Sequence, residues 1–488
     1  MNLESLLAGI LDTPDAADST EIASVSADSR AVAPGALFAA LPGTRVDGAR
    51  FVSDAIAAGA AAILAAEGAA IGDVPVPVLR SADPRRALAL IAARFYARQP
   101  ATMVAVTGTS GKTSVADFTR QIFAALGRRS ASIGTIGVVE PDGSIYGALT
   151  TPDPVTLHAE LARLAGDGVT HLAFEASSHG LDQRRLDGVR LTAAAFTNLG
   201  RDHLDYHPDI DHYRSAKLRL FDTLLPAADS EGGPGTAVVD ATQPEAQRIA
   251  AICGARGLPL VRTGRDPAAD IYLATAAPDG AGQRLVIRHE SQDYDLILPL
   301  VGGYQATNAL LAASLAIAAG ERADAVFAAL GVLRGVRGRL EAVGEINGAT
   351  IVIDYAHKPD ALAAALDALR PLVSRRLVCV FGCGGDRDRG KRPLMGRIAA
   401  EKADAVVVTD DNPRTEDPAA IRAEIMAGCP EAEEIGDRYQ AIAHAMSRLA
   451  PGDVLVIAGK GHETGQIVGD QTLPFADHDA VEAISREF

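Results

Sequence analysis

A glycine-rich stretch, T-G-T-S-G-K-T-S at 107–114, carries residue types that bind phosphate. It follows the apolar run T-M-V-A-V and precedes helix-like sequence. The common phosphate loop, G-x-x-x-x-G-K-[ST], would place its first glycine where this chain has Val106, so the loop here is a shorter form. Glycines let backbone N–H groups close around phosphate oxygens at a helix N-terminus. The pattern therefore predicts phosphate binding rather than a glycine turn that only caps a helix.

The residues of this loop have separable roles. Lys112 would reach the β- and γ-phosphates of a nucleotide, and the Thr113 hydroxyl would lie on Mg²⁺. The nucleotide-binding residues predicted from the loop are Gly108, Thr109, Ser110, Gly111, Lys112, Thr113 and Ser114.

A second candidate follows the apolar run H-L-A-F, which ends in Glu175. A carboxylate that ends a buried strand beside a phosphate loop is well placed to hold Mg²⁺. Ser177 and His179 come soon after, but no G-x-S-x-G turn surrounds the serine, so nucleophilic catalysis is the weaker interpretation.

The third candidate, after A-A-A-F-T-N, is His203 with Asp202 and Asp205 beside it. His203 could be a structural histidine or a second metal ligand, and the sequence leaves both interpretations open. Lys217, within H-Y-R-S-A-K-L-R-L-F, has no distinguishing feature, because a lysine on an amphipathic helix is usually a solvated charge.

Charged groups also follow four apolar runs near the C-terminus. They begin at Asp354, Asp386, Asp410 and Lys460. Ligands of open parallel sheets bind beyond the carboxyl ends of the strands, so the four ends predict a face that closes over the phosphate loop. A solvated rim is the alternative, although it explains any one of them better than all four.

Composition limits the class of protein that positions these residues. The chain has 488 residues, 48% of them hydrophobic, and a formal net charge of −16. That charge has the wrong sign for generic binding to nucleic acid or anionic lipid, so we expect neither as a partner. No positive leader or membrane-length apolar run is visible, and the four cysteines are sparse, with Cys379 and Cys383 expected to pack in a core. We expect a cytoplasmic α/β protein, acting as a monomer.

The order of the elements suggests three segments: 1–99, 100–330 and 331–488. The first has short strands and an Ala-rich helix at A-R-F-V-S-D-A-I-A-A-G-A-A-A-I-L, before strand-like V-P-V-P-V-L-R. The second alternates strand and helix from T-M-V-A-V-T-G onward and closes with a long Ala/Leu helix after Asn308. In the third, each apolar strand precedes a helical stretch, which is typical of βαβ units and a parallel sheet.

Taken together, these motifs resemble the Mur ligases. The resemblance rests on A-D-S-R-x-V-x-P-G at 27–35, T-G-T-S-G-K-T-S at 107–114, E-A-S-S-H-G-L at 175–181, T-N-L-x-R-D-H-L-D-Y-H at 197–207, G-R-L-E at 338–341, D-Y-A-H-K-P-D-A-L at 354–362 and D-N-P-R at 411–414. It implies an α/β fold of three domains: an N-terminal domain for the UDP substrate, a central P-loop-type, mostly parallel sheet for ATP, and a C-terminal Rossmann-like domain for the amino acid. The short form of the phosphate loop belongs to this family.

The resemblance also implies an ATP-dependent amide ligase of cell-wall peptidoglycan synthesis. ATP would convert a carboxylate of UDP-MurNAc-L-Ala-D-Glu to an acyl phosphate, which an amine then attacks, so no protein nucleophile is needed. Carried over by position, the catalytic residues are Lys112, Glu175, His203 and Lys217. The metal ligands are Thr113, Glu175, His203 and Lys217, for two Mg²⁺ ions.

In this family the lysine that matches Lys217 is carbamylated by CO₂, which turns a cation into a carboxylate that can bind Mg²⁺. Asn308 resembles the adenine-side residue, and Arg339 and Asp354 the ATP contacts across the domain cleft. Ser29 would contact the UDP end, and the muramoyl-dipeptide would lie on Thr150, Thr151, Ser177, Gln183 and Arg185. One departure is Gln305, where the family pattern has an asparagine.

The added amino acid is predicted to be meso-diaminopimelate, not L-lysine. Arg414 presents a planar fork that pairs with the distal carboxylate and would repel a lysine ammonium. D-N-P-R, which adds Asp411, Asn412 and Pro413 to Arg414, is also the pattern of the diaminopimelate-adding members. The remaining residues that match their pocket are Arg387, Gly459 and Glu463, with Glu463 suited to a substrate ammonium. Folylpolyglutamate synthetase, a P-loop regulatory ATPase and a non-catalytic binding protein are the alternatives, and each leaves some of these motifs without a use.

Overall fold

The computed structural model describes residues 1–12, 20–43, 47–145, 149–203, 206–230, 232–279 and 282–486. These residues form two compact units. One unit comprises residues 1–263 and 314–322, and the other comprises 264–313 and 323–488. Asp205, one of the candidate acidic residues of the third motif, lies outside the described residues.

The first unit begins with a small parallel sheet. Its elements are α1 (Leu3–Leu7), β1 (Ser24–Ser26), β2 (Ala36–Ala40), α2 (Val52–Ala57), β3 (Ala60–Ala66), β4 (Val78–Ser81) and α3 (Pro84–Tyr96). The strands lie in the order β1-β2-β3-β4, and all their pairings are parallel. Apolar clusters cover both faces of this sheet, which explains why β2 is buried along its whole length.

The single Ala-rich helix predicted at 49–64 was wrong. Helix α2 ends at Ala57, and Gly59 turns the chain with a φ of 97°, after which A-A-A-I-L forms most of β3. Alanine favours helices, but β3 pairs with a strand on each side and is buried there. Tertiary pairing therefore overrides local propensity at this position.

The larger sheet of the first unit carries the phosphate-loop segment. Its elements are β5 (Thr102–Thr107), α4 (Lys112–Ala125), β6 (Ser130–Gly134), β7 (Gly137–Glu140), β8 (Gly143–Ile145), α5 (Pro154–Gly166), β9 (His171–Glu175), α6 (Ser178–Asp182), β10 (Ala193–Phe196), α7 (Ile210–Arg219), β11 (Thr236–Asp240), α8 (Ala246–Arg256) and β12 (Leu260–Gly264). The strand order is β12-β11-β10-β5-β9-β6-β7-β8, parallel from β12 to β6. Strand β5 is therefore central, with β10 and β9 as its neighbours.

The second unit opens with an antiparallel meander and two helices, the first of which continues into the first unit at residues 314–318. These elements are β13 (Ile271–Asp279), β14 (Gly282–His289), β15 (Gln292–Leu298), α9 (Gly303–Ala318) and α10 (Ala323–Leu330). The predicted Ala/Leu helix after Asn308 begins earlier, at Gly303, so Asn308 lies within its second turn.

The second unit continues with a sheet covered by helices on both faces. Its elements are β16 (Glu341–Ile346), β17 (Ala349–Asp354), α11 (Pro359–Leu369), β18 (Leu377–Phe381), α12 (Lys391–Lys402), β19 (Ala405–Val408), α13 (Pro418–Met426), β20 (Glu433–Glu434), α14 (Arg438–Ser447), β21 (Val454–Ala458), β22 (Gly465–Val468), β23 (Gln471–Pro474) and α15 (Asp477–Ser485). The order is β16-β17-β21-β18-β19-β20, antiparallel only at β16, while β22 and β23 form a separate hairpin.

The cysteines of this sheet lie in its core. Cys379 and Cys383 belong to the apolar cluster on the face covered by α11, α12 and α13, and Cys383 Sγ lies 3.7 Å from Met395 Sδ. Burial raises the pKa of each of these two thiols to about 12. Within the described part of the chain, no helix combines the length and the apolar character needed to cross a membrane.

Candidate active site

The phosphate loop connects β5 to α4 through two glycines with positive φ. Gly108 has a φ of 144°, and Gly111, the N-cap of α4, has a φ of 85°. A Cβ on Gly108 would collide with the Thr197 hydroxyl and lie 3.0 Å from the backbone nitrogen of Asn198. Only glycine fits there, because the loop lies against the segment that follows β10.

That segment holds the loop through several hydrogen bonds. The Ser110 N–H donates to Asn198 Oδ1 at 3.0 Å, the Thr197 hydroxyl donates to the Ser110 carbonyl at 2.6 Å, and the Thr109 N–H donates to the Asn198 carbonyl at 2.9 Å. The Lys112 ammonium folds back over the loop and donates to the carbonyls of Gly108 and Thr109 at 3.1 and 3.0 Å. Hydrogen bonds within the protein thus fix the shape of the loop.

Glu175 is buried at the end of β9, the strand beside β5. Its Oε1 accepts from the Thr135 N–H at 2.7 Å, and its Oε2 accepts from the Thr135 hydroxyl at 3.2 Å. A small cleft is lined by Thr113, Gly134 and Glu175 among others. The structure therefore brings together the threonine and the carboxylate that were predicted as metal ligands.

Lys217 is buried, which corrects the expectation that the bare helix pattern gives. Only 1% of this residue is exposed, and its ammonium donates to the Gly108 carbonyl at 2.6 Å. The same nitrogen lies 4.4 Å from the ring centre of Tyr213, one helical turn earlier on α7. Lys217 and Lys112 consequently reach the same carbonyl of the phosphate loop.

His203 has a left-handed backbone, with a φ of 53°. Its Nε2 lies 3.2 Å from Asp202 Oδ2, and its ring packs edge-on against His179 with a centroid separation of 4.8 Å. The Tyr213 ring is 6.2 Å away, and the Tyr213 hydroxyl hydrogen-bonds to Thr109 Oγ1 at 3.1 Å. Tyr213 thus connects His203 and Lys217 to the phosphate loop.

Four of the residues predicted to hold the muramoyl-dipeptide, Thr151, Ser177, Gln183 and Arg185, form one hydrogen-bonded group. The Thr151 hydroxyl donates to the Glu175 carbonyl at 2.8 Å and accepts from the Ser177 N–H at 3.0 Å. Arg185 donates to the Thr151 carbonyl at 2.5 Å and to Gln183 Oε1 at 2.7 Å, and burial lowers its pKa.

Thr150, the fifth residue of that prediction, and Ser29, which was predicted to contact the UDP end, have different surroundings. The Thr150 hydroxyl pairs with Thr135 Oγ1 at 3.1 Å, so Thr150 contacts the residue that holds Glu175. Ser29 lies in a 3₁₀ turn capped by Asp28, away from that group along the chain and only partly buried.

In the second unit, the four predicted strand ends meet at one sheet edge. Strands β17, β21, β18 and β19 are consecutive neighbours with parallel pairings. Asp354, Lys460, Asp386 and Asp410 therefore follow adjacent carboxyl ends, as expected for a binding edge.

Asp354 and Arg339 lie close together at this edge. The Asp354 carboxylate accepts from the Leu340 N–H at 2.7 Å and the Ala356 N–H at 2.8 Å, and burial raises its pKa to about 6. The Arg339 guanidinium stacks 4.5 Å above the Tyr355 ring. The Asn308 side-chain amide donates to Gln305 Oε1 at 3.1 Å, so the residue that departs from the family pattern directly supports the predicted adenine-side residue.

The D-N-P-R segment lies against the loop after β21. Asn412 Nδ2 donates to Glu463 Oε2 at 2.8 Å. Gly459 has a φ of 111°, and a Cβ there would lie 2.7 Å from Asp411 Oδ2. Burial raises the pKa of the Asp411 carboxyl. Pro413 is also buried, so the segment is fixed by packing as well as by hydrogen bonds.

Arg414 is held by one arm of its guanidinium. It has a φ of 53°, and its Nη1 donates to the Gly385 carbonyl at 2.8 Å. Within the described residues, Nε and Nη2 of Arg414 have no protein acceptor. Arg387 is exposed and, in the described part of the chain, donates to the carbonyl of Asp386 at 3.3 Å and makes no hydrogen bond with Arg414.

Two residues that support the site, Tyr213 and Thr135, were not predicted from the sequence. Tyr213 precedes Lys217 by four residues, so the two side chains lie on the same face of α7. This spacing indicates that Tyr213 contacts Lys217 once Lys217 is known to be buried. Thr135 has no sequence signal, because its contact with Glu175 joins residues 40 positions apart. Among the described residues, no group of three His, Cys, Asp or Glu side chains could hold a metal ion. The predicted ligand set would not form such a group, because only Glu175 and His203 in it are residues of these types.

A parallel sheet with a glycine-rich loop between its central strand and a helix defines a phosphate-loop type of α/β protein. Three family models match successive parts of the chain: "Mur ligase family, catalytic domain" at 21–96, "Mur ligase middle domain" at 106–316 and "Mur ligase, glutamate ligase domain" at 338–461. The chain belongs to the Mur ligase family.

Curated relatives match over nearly the whole chain. A protein of Bradyrhizobium diazoefficiens is 56% identical over 486 residues, covering 99% of each chain, and one of Caulobacter vibrioides is 53% identical over 478 residues, covering 96% of each. Both are called UDP-N-acetylmuramoyl-L-alanyl-D-glutamate–2,6-diaminopimelate ligase.

Solved structures agree on the fold. A structure of a ligase with that same name is 31% identical, with a TM-score of 0.73 and complete coverage of both chains. A folylpolyglutamate synthase of Mycobacterium tuberculosis is 22% identical, with a TM-score of 0.63, and covers 77% of this chain and 92% of its own. That second likeness shows the shared fold alone. The α/β class with a three-domain Mur ligase architecture is confirmed.

Proposed function

We propose that this chain is an ATP-dependent amide ligase that joins meso-diaminopimelate to the D-glutamyl side of UDP-MurNAc-L-Ala-D-Glu. The observation that carries the proposal is the adjacency of β10, β5 and β9, which places the phosphate loop between Glu175 and the segment around His203. Such an arrangement serves charge neutralisation during phosphoryl transfer, not nucleophilic attack by the protein. The names of the full-length relatives support the same activity.

ATP and Mg²⁺ fit the residues of the first unit. The proposed metal-binding residues are Thr113, Glu175, His203 and Lys217. Two of these, Thr113 and Glu175, line one cleft, and His203 and Lys217 both lie beside Tyr213. When bound, Mg²⁺ would screen the charge of the phosphate oxygens. The loop N–H groups and Lys112 would bind and orient the phosphates.

We assign Lys217 as the site of carbamylation. The Lys217 side chain is buried beside the phosphate loop, with its nitrogen 2.6 Å from the Gly108 carbonyl oxygen, and full burial is unusual for a lysine. A carbamate on that nitrogen would supply the carboxylate oxygens that Mg²⁺ prefers. The nucleotide assignments of Asn308, Arg339 and Asp354, and that of Ser29 to the UDP end, rest on the family pattern. We also retain the domain boundaries at 99/100 and 330/331 as part of the proposal.

The proposed reaction needs the protein mainly for positioning. The terminal phosphoryl group of ATP is transferred to a glutamyl carboxylate oxygen and ADP leaves. The amine nitrogen of diaminopimelate then attacks the acyl carbon and loses a proton to solvent, and phosphate departs with the electrons of the broken C–O bond. Arg185, Gln183 and Thr151 are placed to orient the muramoyl-dipeptide, since their own hydrogen bonds hold them in one group.

The preference for diaminopimelate rests on Arg414 and Glu463. The donors Nε and Nη2 of Arg414 would pair with the distal carboxylate, and Glu463, 30% exposed, would accept from the neighbouring ammonium. L-lysine lacks that carboxylate, so binding it would leave the guanidinium without a partner.

The test is Mg-ATP-dependent phosphate release with UDP-MurNAc-L-Ala-D-Glu, comparing meso-diaminopimelate with L-lysine. Release only with diaminopimelate is the expected result. Equal or faster release with lysine would overturn the role of Arg414 while leaving the ligase in place. Absence of release with either amino acid would overturn the proposed function, and a folate acceptor would then be tried.

A further inference from the structure

Lys460 is a buried lysine that has no role in the proposed reaction. It follows β21, and its side chain is 0% exposed. Its ammonium donates to Glu463 Oε2 at 3.1 Å, to Asn412 Oδ1 at 3.3 Å and to the Gly465 carbonyl at 2.6 Å. A lysine is almost never fully buried unless it is paired, so the surroundings of this ammonium are built for it.

These three contacts join three separate pieces of chain. Asn412 belongs to the D-N-P-R segment after β19, Glu463 to the loop after β21, and Gly465 begins the hairpin strand β22. The Asn412 oxygen that accepts from Lys460 also accepts from the Ile467 N–H at 2.9 Å. The hairpin in turn holds Arg414, whose N–H donates to the Ile467 carbonyl at 3.0 Å. One ammonium thus joins Asn412 and Glu463 of the proposed amino-acid pocket to the hairpin that holds the backbone of Arg414.

The charges around Lys460 agree with this arrangement. Arg438 and Asp477 form a fully buried two-armed ion pair at 2.7 and 2.8 Å. The Lys460 ammonium makes an ion pair with Glu463 at 3.1 Å. Asp411 lies near by, and burial raises its pKa while the charges of Arg438 and Lys460 act in the opposite direction.

We propose that Lys460 is the positioning residue of the amino-acid pocket, which orients Asn412 and Glu463 toward the distal ammonium and carboxylate of the incoming diamino acid. The inference rests on the proposed function. Lys460 fixes Oε2 of Glu463 through its own contact and through Asn412, while Oε1 accepts, among the described residues, only a long hydrogen bond, from the Tyr355 hydroxyl at 3.5 Å, and is the oxygen that meets the substrate. Without the ammonium, Asp411 and Glu463 repel each other, and Glu463 turns from the pocket toward solvent.

The experiment is a set of steady-state KM values for meso-diaminopimelate, ATP and UDP-MurNAc-L-Ala-D-Glu in wild type and Lys460→Met. We expect the KM for meso-diaminopimelate to rise about 10-fold or more, because the pocket loses one charged hydrogen-bonding partner. The other two KM values should stay within about 2-fold of wild type. Lys402→Met is the matched control, because Lys402 makes an ion pair with Asp367 on the surface. All three of its KM values should stay at the wild-type level.

An unchanged KM for diaminopimelate in a folded Lys460→Met variant would overturn the inference, as would equal losses for all three substrates. If Lys460→Met does not fold, Lys460→Arg decides. It keeps the charge, but its planar fork cannot repeat the three contacts of an ammonium, so a selective rise in the same KM is again expected. Wild-type behaviour of Lys460→Arg would overturn the inference. A wild-type enzyme without diaminopimelate-dependent phosphate release would instead overturn the proposed function.

Discussion

Substituting Gly134 by alanine tests whether the position of the Glu175 carboxylate matters for catalysis. Gly134 ends β6, which pairs in parallel with β9, the strand that Glu175 ends. A Cβ on Gly134 would lie 2.8 Å from both Cδ and Cγ of Glu175, and closer still to Oε1. The carboxylate must therefore turn aside or the strand end must shift.

The size of the effect follows from this overlap. Carbon atoms rest at about 3.5–4.0 Å from each other, so the carboxylate has to move by roughly 1 Å. A misplacement of that size in a catalytic group lowers activity by on the order of 100-fold. Overpacking a rigid site also destabilises a fold by about 1–3 kcal/mol. We expect Gly134→Ala to lose both activity and stability by these amounts.

Two assays measure the two effects. Phosphate release in the presence of all three substrates reports activity, and urea denaturation reports the free energy of unfolding. Gly166→Ala is the matched control, since Gly166 ends helix α5 and a Cβ there would meet nothing within 4 Å. That variant should keep wild-type activity and at least wild-type stability.

A double variant isolates the collision from other effects. In the double variant Gly134→Ala, Glu175→Ala, the glutamate side chain that would overlap the new Cβ is absent. The alanine at position 134 should therefore destabilise the fold far less than it does in the single variant. The expected coupling is about 1–3 kcal/mol in favour of the double variant. Additive losses, or a Gly134→Ala enzyme with kcat within about 2-fold of wild type, would refute the placement of Glu175.

Three further predictions follow from individual side chains. Arg414→Met should raise the KM for meso-diaminopimelate by on the order of 100-fold, about 3 kcal/mol, and leave turnover of L-lysine no lower than in wild type; equal effects on both amino acids would contradict the pairing. Lys217→Met should abolish phosphate release, and wild type incubated with ¹³C-bicarbonate should show a carbamate carbon signal by NMR that this variant lacks; an identical signal in both would exclude Lys217 as its source. Burial lowers the pKa of His158 from 6.5 to about 4, so the unfolded chain takes up the proton first and stability falls as pH drops below about 6.5. His158 should account for about 2 kcal/mol of that loss between pH ~6.5 and ~5, and urea denaturation of His158→Gln should show a shallower dependence on pH; an unchanged dependence would contradict the burial of a neutral imidazole.

Much of the fold was predictable because its signals are local. Short apolar runs followed by helical sequence indicate parallel βα units, and β5, β9, β10, β17, β18, β19 and β21 all lie within the runs expected for them. The helix predicted over 49–64 failed because alanine is compatible with both helix and buried strand. Its true state depends on the neighbouring strands β2 and β4.

The sequence alone determined which segments of this protein carry the candidate functional residues. The phosphate loop, the carboxylate that ends H-L-A-F and the D-N-P-R segment are identified by residue type and short spacing, because each is a continuous stretch whose local geometry its own residues specify. Their membership of one family pattern was equally visible, since that pattern consists of such stretches.

Only the tertiary structure decided how these stretches meet. The sheet orders β10-β5-β9 and β17-β21-β18-β19 place strand ends side by side although they are far apart along the chain. The contact between Lys217 and the Gly108 carbonyl joins residues 109 positions apart, and that between Lys460 and Asn412 joins residues 48 apart. A lysine in solvent and a lysine buried on a carbonyl have the same sequence signature, because burial is a property of the packed neighbours and not of the helix that carries the side chain.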